Sequence, residues 1–314
     1  MSRLMPTHVR RLPRRRRGRV QLSLPIIIAV GVALFGVFRY FTSTQTNPVT
    51  GEAQRVALSP QQEVALGLQS APRMAQQFGG LVPDSDPRSR LVDAVGARLL
   101  TQLDREHPGH PWKFQFHLLA DRRTINAFAL PGGQVFITLA LLEKLSTEAQ
   151  LAGVLGHEMG HVIHRHSAQH LAKGQLGQSL VTAVGVGASG HDGGYAAAQV
   201  ANFTNQMVQL KYGREDESES DTEGLKFMVR AGYDPAEMVG VMRVLQQASG
   251  GRSGPEFTSS HPDPGRRAND VQQWVDQMAR EGRMPAGLSK GATLVNGYPN
   301  GAGGGGGKPK GPFW

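Results

Sequence analysis

The 314-residue sequence predicts a mainly helical α+β domain with a small sheet, preceded by one transmembrane helix. Three observations predict it. An uncharged apolar run follows a block of arginines. Most apolar residues beyond that run recur at helical spacing. One short central region shows strict polar–apolar alternation instead.

The first element is the N-terminal one. A formal charge of +9 and a pI near 10.2 would suit a nucleic-acid binder if the basic residues were spread over the fold. They are not. Eight of the 34 basic residues are arginines within positions 1–20, which leaves 26 against 25 acidic ones. No nucleic-acid partner is therefore expected. The run Leu22 to Phe38 is uncharged and closes at Arg39, with Tyr40 and Phe41 suited to a membrane interface. As a helix it reaches ~25 Å, at the short end of what crosses a bilayer. The arginines before it place the N-terminus in the cytoplasm, so the rest lies on the extracytoplasmic side of an inner membrane. A cleaved signal peptide and a twin-arginine export signal are the alternatives. The first lacks an Ala-x-Ala site and the second the rest of its pattern. The expected order is a basic arm at 1–21, an anchor at 22–41, a linker at 42–58, a folded domain at 59–295 and a disordered Gly/Pro-rich tail at 296–314. The chain has no cysteine, so disulfides, thiolate metal sites and cysteine nucleophiles are excluded.

Within the domain, Ser59, Pro60 and Gln62 mark the start of a helix through a capping box. Leu91, Val92, Val95, Leu99 and Leu103 predict another over 87–105. From Trp112 to Leu118 the alternation of Trp112, Phe114, Phe116 and Leu118 with Lys113, Gln115 and His117 predicts a half-buried strand. Residues 125–138 give two apolar runs about Pro131-Gly132-Gly133, a tight strand-to-strand turn. Thr147 and Gln150 open a helix running to about His170. Two helical stretches flank a Gly-rich break at 185–194, suited to a lid or a plain loop. An acidic helix from Glu215 to Arg230 follows, stopping at Gly232, and Asp234, Pro235 and Glu237 start the next.

The chemistry is carried by His157-Glu158-Met159-Gly160-His161, an H-E-x-x-H pattern. Residues four apart on a helix lie on one face a turn apart, so the two imidazoles can share a metal. Zinc in such a site acidifies water to a pKa of roughly 7, and Glu158 is placed as general base. The chemistry also fits iron(II), but the helix-borne glutamate base favours one zinc per chain. His164 is too far along the helix axis to be the third ligand, so His164, His166 and His170 are expected at the surface or behind the ligands. Six carboxylates on the acidic helix (Glu215, Asp216, Glu217, Glu219, Asp221 and Glu223) offer that ligand or a solvated face. Spacing does not choose among them.

Three stretches together resemble a family of membrane-associated zinc metallopeptidases that includes HtpX, BepA and the type 1 CAAX prenyl proteases. They are Asn126-Ala-Phe-Ala-Leu-Pro-Gly-Gly; Leu155-Gly-His-Glu-Met-Gly-His-Val with Arg165-His166; and Arg214-x-x-Glu217-x-x-x-Asp221 with Gly224 and Ala231-Gly-Tyr-Asp-Pro. The resemblance runs from about Ser59 to Arg267 and implies a zincin-type domain in a BepA-like, single-anchor member. It implies Glu217 as third ligand and Asp221 as an acceptor that orients a ligand histidine. Gly213 and Ser220 depart from the family's usual Ser and Ala without removing a ligand. His261-Pro262 and Arg267 resemble a further family element. His261 then serves as a reversible fourth ligand or as a donor to the tetrahedral intermediate, with Arg267 a supporting charge among the catalytic residues. Asn126, Gly133, Gln134 and Val135 are expected against the substrate, Gly133 to Thr138 acting as an edge strand that pairs with an extended chain. The activity implied is hydrolysis of unfolded or misassembled proteins near the membrane. Prenyl-protein cleavage fits less well, because those enzymes are polytopic. The alternative is a chaperone-like binding protein whose zinc site is latent.

Overall fold

One small sheet, covered on both faces, sets the position of everything else. The computed structural model describes residues 41–174 except 57, residues 203–207, 210–249 and 256–300, and single positions between 31 and 38. A hairpin of β1 (Thr44–Thr46) and β2 (Ala53–Arg55) comes first. Helix α1 (Pro60–Gln77) begins as expected: Ser59 Oγ accepts from the Gln62 N–H, and the Gln62 side chain accepts from the Ser59 N–H. Helix α2 (Pro87–Glu106) buries Val92, Val95, Leu99 and Leu103 as one stripe.

Strands β3 (Gln115–Leu119), β4 (Ala127–Leu130) and β5 (Gln134–Thr138) form a sheet of order β3-β5-β4, with β3 parallel and β4 antiparallel to β5. Gly132 and Gly133 make the turn between β4 and β5 at φ of 85° and 114°, a region disfavoured for side chains. Strand β5 is buried throughout because Val135 and Ile137 join the main core, while Phe136 joins a second cluster with Met74 of α1 and Phe78 just after it.

That central position corrects one expectation. The stretch Gly133 to Thr138 is not an edge strand, since β3 and β4 pair with β5 on either side. Val135 is fully buried, and the Gln134 side chain is engaged with His117 and the Lys113 carbonyl. Of the two outer strands, β3 is already bridged by the segment around Leu81 through Leu118 and Leu119, so among the described residues the open side of the sheet is β4.

Helix α3 (Leu139–Leu142) leads to α4 (Glu148–Ile163), whose first turn is capped by the Thr147 hydroxyl accepting from the Gln150 N–H. The helix expected to reach His170 is interrupted at His164 and Arg165, where Arg165 takes a φ of 58°, and resumes from His166. Helix α5 (Arg214–Arg230) lies against α4 through small residues. A Cβ on Gly224 would lie 2.9 Å from the His157 backbone N, and one on Gly160 2.8 Å from Ser220 Cα. The interaxial distance of packed helices follows the size of the contacting side chains, so these glycines permit an approach to backbone contact. Then come α6 (Glu237–Ser249), α7 (Glu256–Ser260), α8 (Pro264–Arg280) and a hairpin of β6 (Leu294–Val295) and β7 (Tyr298–Pro299).

Two regions read as unstructured hold strands. Within the linker at 42–58, the β1–β2 hairpin covers the end of α4: Asn47 Nδ2 donates to the Ile163 carbonyl at 2.7 Å and Gln54 Nε2 to the His164 carbonyl at 2.8 Å. These carbonyls are among those that a helix end leaves without intrahelical partners. The β6–β7 hairpin extends strand pairing past position 296. The Gly-rich break at 185–194 lies outside the described residues, as does most of the anchor at 22–41. Among the described residues no helix is long and apolar enough to cross a membrane. Leu34, Phe35, Phe38 and Phe41 are helical and exposed.

Candidate metal centre

Helix α4 sets His157 and His161 on one face, with their Nε2 atoms 3.1 Å apart. Helix α5 brings Glu217 against them, Oε1 lying 3.5 Å from His161 Nε2 and Oε2 3.7 Å from His157 Nε2. The turn after α7 adds His261, whose Nδ1 is 3.3 Å from His157 Nε2 and 2.9 Å from Glu217 Oε1. Two atoms bound to one tetrahedral zinc at ~2.1 Å lie about 3.4 Å apart, and these spacings straddle that value. The four ligand atoms fall within 4.8 Å of one another, all on buried residues. Glu158 is fully buried beside them, and neither of its oxygens has a hydrogen-bond partner. A buried carboxylate in that condition, with His261 Nε2 at 3.7 Å from its Oε1, suits a polar guest. The donor set and the orphaned Glu158 oxygens fit a single divalent ion with its attendant water.

The surroundings tune these groups. Burial drives the His161 ring well below its usual proton affinity, outweighing its hydrogen bond with Glu217, which keeps a lone pair for a metal. For Glu217 burial acts upward, but the charges of His261 and Arg267 hold the carboxyl well below the ordinary range. Burial raises Glu158 against the pull of His261 and His157. Asp221 Oδ1 lies 2.8 Å from His157 Nδ1, the position of an acceptor that fixes the ring. Arg267 grips Asp221 through Nε at 2.7 Å and Nη2 at 2.6 Å, and its Nη1 also touches Glu217.

His157, Glu158, His161, Glu217, Asp221, His261 and Arg267 are thus brought together, whereas Gly133, Gln134 and Val135 are not. Asn126 lies near the cluster, lining with His261, Met74, Phe78, Phe128 and Tyr212 a largely apolar pocket. Its Oδ1 is buried without a partner. His166 proves fully buried, its Nδ1 2.9 Å from His161 Nδ1, while His164 and His170 also stay out of the four-residue cluster. Tyr212 was not legible in the sequence. Its ring stacks on His161 at 3.8 Å, and its hydroxyl bonds to Ser167 at 2.9 Å. The one signal was its place two residues before Arg214, where α5 begins.

Two helix-borne histidines, a buried glutamate between them and a carboxylate from a second helix define a protein of the metalloprotease class. The comparison with known families names which. Residues 87–275 match Peptidase family M48, and the chain belongs to that family. It is 29% identical over 245 residues to the Beta-barrel assembly-enhancing protease of Escherichia coli (strain K12), covering 75% of this chain and 48% of that one. Against the protein of the same name from Yersinia pestis the identity is 31% over 244 residues, covering 74% and 47%. The Mitochondrial metalloendopeptidase OMA1 of Schizosaccharomyces pombe is 27% identical over 268 residues, covering 84% and 75%. The chain spans about half the length of the bacterial relatives it matches.

Proposed function

We propose that this chain is a zinc-dependent endopeptidase that hydrolyses unfolded or misassembled proteins beside a membrane. The observation that carries the reading is the buried Glu158 carboxylate, which accepts no hydrogen bond, set against His157, His161 and Glu217. Those three residues would hold one zinc per chain. When bound, zinc supplies a Lewis acid for the scissile carbonyl and lowers the pKa of water to roughly 7. Glu158 takes a proton from the attacking water and passes it to the leaving amine, a transfer helped by the upward shift that burial imposes on its carboxyl. His261 is raised in proton affinity by Glu217 and Glu158 against its own burial, and as a cation it donates to the developing oxyanion. Arg267 balances Glu217 and Asp221 and so keeps the histidine face oriented. An extended substrate would lie along β4, with an apolar side chain in the pocket and a backbone N–H donated to Asn126 Oδ1. Anchoring through 22–41 would keep the domain on the extracytoplasmic side, where misassembled envelope proteins arise.

One observation favours a second reading. His261 Nδ1 sits among the ligand atoms, where it suits a fourth ligand that blocks the site and leaves a latent, chaperone-like protein. Casein cleavage by the full chain and by Glu158→Gln, at matched zinc content, separates the two. Cleavage by the wild type alone supports the peptidase; zinc binding without cleavage by either supports the latent protein.

A further inference from the structure

Behind the metal centre a second set of donors converges. On a continuous helix, residues two apart point roughly 200° away from each other, so His164 and His166 would diverge. The left-handed Arg165 between them reverses this, and their rings stack with centroids 5.4 Å apart at 18°. That conformation is disfavoured for a residue with a side chain and persists only where the surroundings enforce it. They do so here: the Arg165 guanidinium donates to Glu63 at 2.6 Å and 2.9 Å, to the Leu58 carbonyl and to Gln45. From α5, Glu219 meets the pair, its Oε2 lying 3.0 Å from His166 Nε2 and 3.3 Å from His164 Nδ1. The three ligand atoms fall within 4.8 Å of one another.

We propose that His164, His166 and Glu219 form a second divalent-cation site, separate from the His157–His161–Glu217 centre. His164 is 8% exposed, and its buried Nδ1 faces Glu219 Oε2 at 3.3 Å without making a hydrogen bond to it or to any other group. A ring nitrogen and a carboxylate that face each other without a hydrogen bond suit a shared cation between them. The Glu219 side chain is 46% exposed, which gives an ion an entry path and leaves room for waters to complete its shell. Two imidazoles and one carboxylate select a borderline transition ion such as zinc or cobalt(II) over magnesium or calcium. Asp216, 3.9 Å from His166 Nε2, adds negative charge nearby. The ion would sit one imidazole away from the first centre, since His166 Nδ1 also faces His161.

The test is a cobalt(II) titration of the metal-free full chain, followed by visible absorption and by bound metal after equilibrium dialysis. The wild type is expected to take two equivalents, and His164→Ala and Glu219→Gln one each, with the spectrum of the first equivalent unchanged. A wild type that stops at one equivalent, or a second equivalent that survives both substitutions, overturns the site. Glu219 is half exposed, so Glu219→Gln keeps the test decisive should the buried His164→Ala fail to fold. The outcome does not depend on peptidase activity.

Discussion

Glu158 and Glu217 are carboxylates buried in one site, and their neighbours drive them apart. Glu217 is held anionic by His261 and Arg267, as its proposed role of metal ligand needs, whereas Glu158 is raised by burial, as suits the proton shuttle proposed for it. Glu158→Gln is therefore expected to lower casein cleavage by ~100- to 10,000-fold, with bound zinc unchanged by metal analysis. Asp221→Asn should weaken zinc affinity by ~10- to 100-fold, read by competition with a chelator, because the amide serves poorly as the acceptor that orients His157. At this scale the sequence was informative where helix periodicity did the work: His157, Glu158 and His161 follow from spacing alone. Glu217 did not, because Glu215, Glu219 and Glu223 repeat the same spacing; the family resemblance named it, and the packing of α5 turns it inward.

The contact between α4 and α5 sets the geometry of the centre. Gly160 and Gly224 bring the two backbones together, so a side chain at either position separates the elements that carry His157 and Glu217. Gly224→Val is expected to cost about 1–3 kcal/mol of stability in chemical denaturation and to weaken zinc binding as well. The start of β4 makes its own prediction: on the substrate path proposed above, Asn126→Ala should raise KM for an unfolded substrate more than it lowers kcat, since an acceptor for the substrate backbone would bind ground state and transition state alike. Steady-state kinetics over a range of casein concentrations checks it. The sequence reading placed the β4–β5 turn and both strands correctly but chose the wrong strand as the edge. Strand order in a sheet depends on the parallel return of β3, a long-range pairing that leaves no mark on local alternation.

Across the whole molecule, α1 and the region before it are tied to the end of α4 by buried polar contacts. Asn47 and Gln54 satisfy carbonyls at the end of α4, and Glu63 of α1 pairs with Arg165. Burial pushes the Glu63 carboxyl from its ordinary 4.5 up to about 7, despite the charge of Arg165. The folded chain thus holds this proton more tightly than the unfolded one. The resulting stabilisation is full below pH about 4.5 and is lost as pH rises through about 7. Glu63→Gln has no such proton and should remove that part of the slope, seen in urea denaturation at several pH values across the window. Metal removal acts at the same scale: a chelator should lower Tm, because only the folded chain assembles the ligands.

What the sequence determined by itself was local. Capping at Ser59 and Thr147, the helical stripes, the Pro131-Gly132-Gly133 turn, the H-E-x-x-H face and the family motifs all lie within short windows, where backbone geometry maps spacing onto direction. What only the tertiary structure decided was which distant residues meet. The inward face of α5, the burial of His166 and Tyr212 against His161, the central place of β5, the hairpin inside the expected linker and the left-handed turn that stacks His164 on His166 are all of this kind. Each depends on contacts between elements far apart in the chain, and those are set by packing the whole core rather than by any one segment's propensity.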